Sequence, residues 1–242
     1  MRLRCAVDCA AVIPCFNEAA AIGPLVEAVC VHLPRVLVVD DGSTDATATL
    51  ARTAGAEVMS LPVNNGKGAA LQLGLQRAQA LGCGWALLLD GDGQHAPADI
   101  PNFLSALRAA RADMVIGNRM AEPTGMPFTR RVTNRVMSAT LSLLTGTVCP
   151  DTQCGFRLVR LSAWKTLDLR CQRFELESEM LLAFLASGRR VEFIPVQSHY
   201  KSEQSKIQPL QDGLRWLRWL WRSRGDLAKA QASFKPASLP PA

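Results

Sequence analysis

The sequence predicts an α/β fold, a mostly parallel sheet with helices on both faces, and three observations carry that expectation. Short apolar runs alternate with helix-length segments through the first half of the chain. Several of those runs end in acidic, glycine-bearing turns, and open α/β sheets hold ligands outside the carboxyl ends of their strands. The chain has 242 residues, 48% of them apolar, enough for one sizeable core. No run approaches the ~18 apolar residues of a membrane span.

The opening stretch MRLRCAVDCAAVIPCF has a basic end, but Asp8 interrupts it and no small-residue cleavage site follows before Asn17 and Glu18. It reads as a first strand over Ala10–Cys15 rather than a signal peptide. Ala19–Val31 reads as a helix, and Val36–Val39 as a second strand ending in Asp40 and Asp41. Ser43 or Thr44 is expected to cap the helix Ala46–Ala54, with Asp45 in its first turn. Capping leaves Asp40 and Asp41 unexplained; at a strand's end they could meet a ribose or a base. Ala56–Leu61 gives a third strand, followed by Asn64, Asn65, Gly66, Lys67 and an alanine-rich helix to about Leu81. The loop before that helix is too short for a P-loop, so Lys67 is either a phosphate or base contact or an exposed lysine at a helix start.

The chain is organised around Ala86–His95, ALLLDGDGQH. A short buried strand delivers Asp90, Asp92 and Gln94 onto a tight turn, where two carboxylates repel unless a cation sits between them. The EF-hand reading fails, because His95 and Pro101 stand where Gly and Glu are required. The match of Gly91, Gly93 and Ala96 to a dinucleotide fingerprint is real but weak, since Asp92 would repel a pyrophosphate, and a solvated acidic turn with no ligand is the plain alternative. A bridging Mg²⁺ or Mn²⁺ turns that repulsion into attraction, which favours a metal holding a diphosphate. Pro97 then opens a helix to about Arg111, and Asp113–Gly117 is a fifth strand.

Phe128–Leu144 is amphipathic, with Val132, Val136, Ala139 and Leu143 at helical spacing, a stripe expected to pack on a core. Glu175, Glu177 and Glu179 read as a charged helix start, and Arg190–Val196 as a late strand. Eight cysteines without a C-x-x-C pair look like small core residues of a reducing compartment, and no zinc-ligand spacing is present. The net charge of +6 suits an anionic substrate, a membrane surface or nucleic acid alike.

Six segments in order, VIPCFNEA, VVDDGSTD, NNGKGAA, LLLDGDGQH, GNRM and DTQCGFRL, resemble the family 2 glycosyltransferases of GT-A (Rossmann-like) fold. The similarity is strongest to the polyprenyl-phosphate hexosyltransferases, the dolichyl-phosphate mannose and glucose synthases, and covers Val12 to Pro209. It implies that Pro14, Phe16, Glu18 and Asp41 contact the nucleoside of a nucleotide-sugar of the UDP-glucose or GDP-mannose class, with Lys67 and Asp90 on the donor. Asp90, Asp92 and Gln94 would hold Mg²⁺ or Mn²⁺ on the diphosphate. Arg119 and Arg131 would bind the acceptor phosphate, Arg131 within the cluster Arg130, Arg131, Arg135. Asp151 matches an acidic, potentially catalytic position near the sugar, and Gln153 and Cys154 resemble the glucose-transferring members. HYKSEQSKI, His199–Ile207, resembles a basic segment closing over phosphates, with Lys201 and Lys206 as contacts.

The implied reaction is metal-dependent, inverting transfer of glucose or mannose to a polyprenyl phosphate by a peripheral protein on the cytoplasmic face of the membrane. Paired arginines match a phosphate acceptor better than a neutral sugar. A saccharide acceptor is the alternative. A sugar nucleotidyltransferase would want a glycine- and arginine-rich loop after the first strand, which PCFNEAAA lacks.

The catalytic domain is expected over residues 1–208. Over 209–225, Leu210, Leu214, Leu217 and Trp221 form one helical stripe, widened by Trp216 and Leu220 and flanked by Arg215, Arg218 and Arg222. That helix suits an anionic bilayer surface or docks on a protein. Nucleic acid is not expected, since no accompanying fold supports it. Residues 226–242 are expected to be a disordered tail.

Overall fold

The computed structural model describes residues 8–109, 112–173, 175–200 and 209–233. Seven strands form one sheet: β1 (Cys9–Cys15), β2 (Val36–Asp40), β3 (Glu57–Ser60), β4 (Trp85–Leu88), β5 (Met114–Asn118), β6 (Arg157–Arg160) and β7 (Val191–Pro195). Their spatial order is 3-2-1-4-6-5-7. β1 pairs in parallel with both β2 and β4, β2 with β3, and β5 with β7. The expected mostly parallel sheet is present, with one departure. β6 runs antiparallel between β4 and β5. The sequence reading assigned no strand to RLVR, because four residues buried mostly on both faces carry no alternation to detect.

Helices α1 (Ile22–Cys30), α2 (Thr47–Thr53), α3 (Lys67–Ala80), α4 (Ile100–Arg108), α5 (Phe128–Thr145), α6 (Leu161–Trp164), α7 (Glu175–Ala186), α8 (Pro209–Arg222) and α9 (Arg224–Ser233) complete the described elements. β1 and β2 are buried along their whole length, as strands covered on both faces must be. Helix α3 lies directly on β1: a Cβ added at Gly74 would stand 2.3 Å from Val12 Cγ1, so only glycine permits that approach. Strands β2 and β4 end side by side with β1, and the order reverses there; their carboxyl ends carry Asp41 and Asp90.

Helix α5 turns the expected face outward. Asn134, Ser138, Leu141 and Thr145 are its buried residues, whereas Phe128, Val132, Val136 and Leu143 are exposed, Leu143 at 81%. The cause is the segment beneath it. Ser138 Oγ accepts the Thr152 N–H at 3.0 Å and Ser142 Oγ accepts the Cys149 N–H at 2.9 Å, so polar side chains are needed inside to satisfy a buried loop.

Helix α8 docks on the domain through Trp216 and Trp219, both buried, with Trp216 Nε1 donating to Ser178 Oγ at 3.0 Å. Leu214, Leu217 and Trp221 are exposed. The tail is not disordered from residue 226: α9 continues to Ser233 with Leu227 and Ala230 buried against the rest of the core. Residues 234–242 lie outside the described set. Among the described residues no helix is long and apolar enough to cross a membrane.

Candidate active site

Two loops meet above β1 and β2. Asn17, at φ 52, donates its N–H to Ser43 Oγ at 2.9 Å and accepts the Thr44 N–H at 2.9 Å on its own Oδ1. Thr47 Oγ1 accepts the Glu18 N–H at 2.8 Å. The N-cap of α2 is Ala46, which has no capping side chain; Asp45 accepts the Thr47 N–H at 2.9 Å from the turn before it, while Ser43 and Thr44 serve the neighbouring loop. This lacing fixes Phe16 and Glu18 beside the end of β2. Asp41 is buried and accepts the N–H groups of Asn65 and Gly66, each at 2.8 Å, which shapes the turn that launches Lys67.

Lys67 opens α3 and is not an exposed lysine. Its Nζ lies 2.6 Å from Asp90 Oδ1 and 2.5 Å from Glu177 Oε1. Burial works against a charged ammonium here, yet Asp90 and Glu177 outweigh it and raise the Lys67 pKa. Burial likewise opposes the Asp90 carboxylate, and Lys67 and His95 overcome it, holding Asp90 well below the usual carboxylate range. His95 Nε2 is 3.3 Å from Asp90 Oδ2 without the alignment of a hydrogen bond, and its ring is tilted against Phe156. Gly155 completes the enclosure: a Cβ there would come 2.7 Å from Asp90 Oδ1.

Asp92 Oδ1 accepts the Gln94 N–H at 2.9 Å, which holds the acid turn closed. Gln94 Oε1 accepts from Arg130 Nη1 at 3.0 Å, so the first turn of α5 reaches the acid turn through Arg130. Arg131, its neighbour, lies over the Phe128 ring at 5.6 Å.

On the other side of β4, Arg119 and Asp151 form a buried fork: Nε to Oδ2 at 2.8 Å and Nη2 to Oδ1 at 2.9 Å. Asp151 also accepts the backbone N–H of Arg119 and of Gln153. Gln153 Nε2 donates to Ser178 Oγ at 3.0 Å. Beneath them Arg157, 1% exposed, donates to the carbonyls of Cys154, Glu177 and Thr152 at 2.7, 2.6 and 2.8 Å. Lys201 and Lys206 lie outside the described residues.

Among the described residues no three His, Cys, Asp or Glu side chains stand close enough to enclose a metal by themselves. The acid turn offers oxygen donors from Asp90, Asp92 and Gln94. That set suits Mg²⁺ or Mn²⁺, which commonly use one or two carboxylates and complete their shell with water and substrate phosphate.

The sequence reading missed Glu177 and Arg157. Helix α7 is buried nearly all round, with Leu176, Ser178 and Met180 all inside, so one of its three glutamates had to face inward.

A family model described as glycosyl transferase family 2 matches residues 10–167. The UDP-N-acetylglucosamine–dolichyl-phosphate N-acetylglucosaminyltransferase of Methanococcus voltae is 31% identical over 212 residues, covering 78% of this chain and 84% of that protein. The undecaprenyl-phosphate mannosyltransferase of Micrococcus luteus is 28% identical over 198 residues, covering 76% and 81%. Glucosyl-3-phosphoglycerate synthase of Mycobacterium tuberculosis, solved with Mn²⁺ and UDP-glucose, superposes with a TM-score of 0.70 at 21% identity, over 95% of this chain and 80% of that one. The strand order, the acid turn beyond β4 and the matched span therefore agree: the chain is a glycosyltransferase and belongs to glycosyl transferase family 2.

Proposed function

We propose that the protein transfers a hexose from a nucleotide-sugar to a polyprenyl phosphate at a membrane surface. One observation carries this reading: Arg130 ties the acid turn to the start of a helix that exposes Phe128, Val132, Val136 and Leu143 and whose first turn holds two arginines. A lipid-borne phosphate arriving along that face would meet guanidinium groups beside the donor site. The relatives named above, which act on dolichyl and undecaprenyl phosphates, support the acceptor class.

In this reading Pro14, Phe16 and Glu18 border the nucleoside, and Asp41 acts by holding the 65–66 turn. Asp92 and Gln94, with Asp90, are the residues that would hold a divalent ion. When bound, that ion neutralises charge on the departing nucleoside diphosphate. Lys67 supplies a further positive charge beside Asp90. Arg131, with Arg130, positions the acceptor phosphate. Arg119 is already engaged with Asp151, so we assign the pair to orienting the Asp151–Cys154 loop at the sugar.

A hydroxyl acceptor needs a base, and a phosphate oxygen does not. Asp151 is buried with both oxygens engaged by Arg119, which leaves no free edge toward an acceptor hydroxyl and favours the phosphate. Lys206 is retained as a phosphate contact on resemblance alone.

The test is incubation with UDP-glucose or GDP-mannose, Mn²⁺ and a short polyprenyl phosphate, followed by extraction. Label should enter organic solvent, and Asp92→Asn should reduce it roughly a hundredfold or more. Label appearing only in water-soluble saccharide would overturn the lipid acceptor.

A further inference from the structure

Asp90 has two oxygens and both face a basic side chain: Lys67 Nζ at 2.6 Å from Oδ1 and His95 Nε2 at 3.3 Å from Oδ2. Glu177, 8% exposed, also holds Lys67, its Oε1 2.5 Å from the same Nζ. A carboxylate facing a lysine ammonium at this distance cannot also bind a divalent cation on the same oxygen without bringing two positive charges together. An ammonium only 18% exposed is not released without cost either, because a largely covered charge needs a partner. The second carboxylate resolves this conflict. It lies on α7, remote in sequence from the acid turn, and offers the ammonium a partner that the metal does not need.

We propose that Lys67 is a resident counter-cation that Asp90 exchanges for the divalent ion, and that Glu177 is the positioning residue that receives Lys67 when Asp90 gives it up. The inference rests on the divalent-ion reading of the acid turn. It goes beyond that reading by giving Lys67 two positions and Glu177 a role in the site's affinity for metal. Released from Asp90, Lys67 would remain at the start of α3 beside the acid turn, available to the donor's phosphates.

The measurement is Mn²⁺ binding to the nucleotide-free full chain, read from the electron paramagnetic resonance signal of unbound Mn²⁺, with circular dichroism as the check on folding. Glu177→Gln removes the Glu177 charge from Lys67 and should weaken Mn²⁺ binding by about tenfold, while Glu177→Asp should restore part of it. Lys67→Met should strengthen binding by a similar factor. Because that variant leaves the carboxylates of Asp90 and Glu177 without the cation between them, Lys67→Met/Glu177→Gln is the decisive companion. It keeps the same summed charge on the three side chains as the natural protein, so tighter Mn²⁺ binding there reports an Asp90 oxygen set free rather than a change in charge.

Opposite signs for Lys67→Met and Glu177→Gln support the exchange, since a merely structural ion pair would lower stability in both and leave metal affinity alone. If the double variant binds Mn²⁺ no more tightly than the natural protein, the exchange is wrong. Glu177→Gln binding like the natural protein overturns the role of Glu177. A natural protein whose Mn²⁺ binding is absent, or indifferent to Asp92→Asn, overturns the metal reading itself and this inference with it.

Discussion

Asp41 and Glu177 show how differently an acidic residue can be used at the scale of one side chain. Asp41 follows the last residue of β2, where a nucleoside contact is expected, and its two oxygens accept two backbone N–H groups. Glu177 sits among three glutamates and carries the charge that holds Lys67. Arg131 is the residue whose role is most directly measured. Arg131→Ala should weaken the apparent affinity for polyprenyl phosphate by about tenfold or more, the worth of a charge-assisted contact, and leave the affinity for the nucleotide-sugar unchanged. Equal loss of both would count against the assignment.

The cysteines make a second prediction at this scale. Burial pushes the Cys149 thiol up to about 11 and Cys154 up to about 12. Folded thiols raised in this way stay protonated while unfolded ones, near 8.5, ionise. Stability from these sites is therefore fully present below about pH 8.5 and is lost as pH rises toward 11 and 12. The urea midpoint should fall progressively above pH 9. Iodoacetamide at pH 8 should label the exposed Cys30 while leaving Cys149 and Cys154 unlabelled until the protein unfolds.

Among the elements, α5 carries a face that periodicity alone misassigns, and α8 a choice between bilayer and protein that periodicity leaves open. Both are amphipathic, and the reading of α5 placed its apolar stripe inward, the common arrangement. The structure places Asn134, Ser138 and Thr145 there, because the Cys149–Thr152 segment needs hydrogen-bond partners. In α8 the apolar residues divide: Trp216 and Trp219 go inward, while Leu214, Leu217 and Trp221 remain outside. Val132→Glu/Val136→Glu should therefore leave thermal stability nearly unchanged, as outward substitutions do, within about 0.5 kcal/mol. It should also lower cosedimentation with anionic liposomes. Loss of stability would mean that the stripe is covered in solution. Trp216→Ala, by contrast, should cost about 3–5 kcal/mol in chemical denaturation, since it empties a buried site and strips Ser178 of a donor.

At the scale of the whole molecule, the C-terminal helices are part of the core. Leu227 and Ala230 of α9 are buried with Trp216 and Trp219. Helix α9 packs against α5 and α7, the helices that border the candidate site. The arginines of α8 line a cleft of about 1060 Å³ that also holds Asp168, Glu179 and Asp226, so its basic flank faces acids of its own chain. Removal of residues 209–242 should therefore lower the melting temperature and reduce transfer even to a short acceptor, as calorimetry and the extraction assay would show. An unchanged melting temperature would restore the view of a separable membrane helix.

What the sequence determined by itself is local or repetitive. The order of the first five strands and the helices between them, the acid turn beyond β4 and the family follow from periodicity, turn chemistry and short motifs, all encoded within a few residues of one another. The tertiary structure decided which charges meet. Lys67 and Glu177 are 110 residues apart, Arg119 and Asp151 are 32 apart, and β6 enters between β4 and β5 from a distant stretch. A buried ion takes whatever partner the fold brings within reach, and no pattern along the chain records that distance.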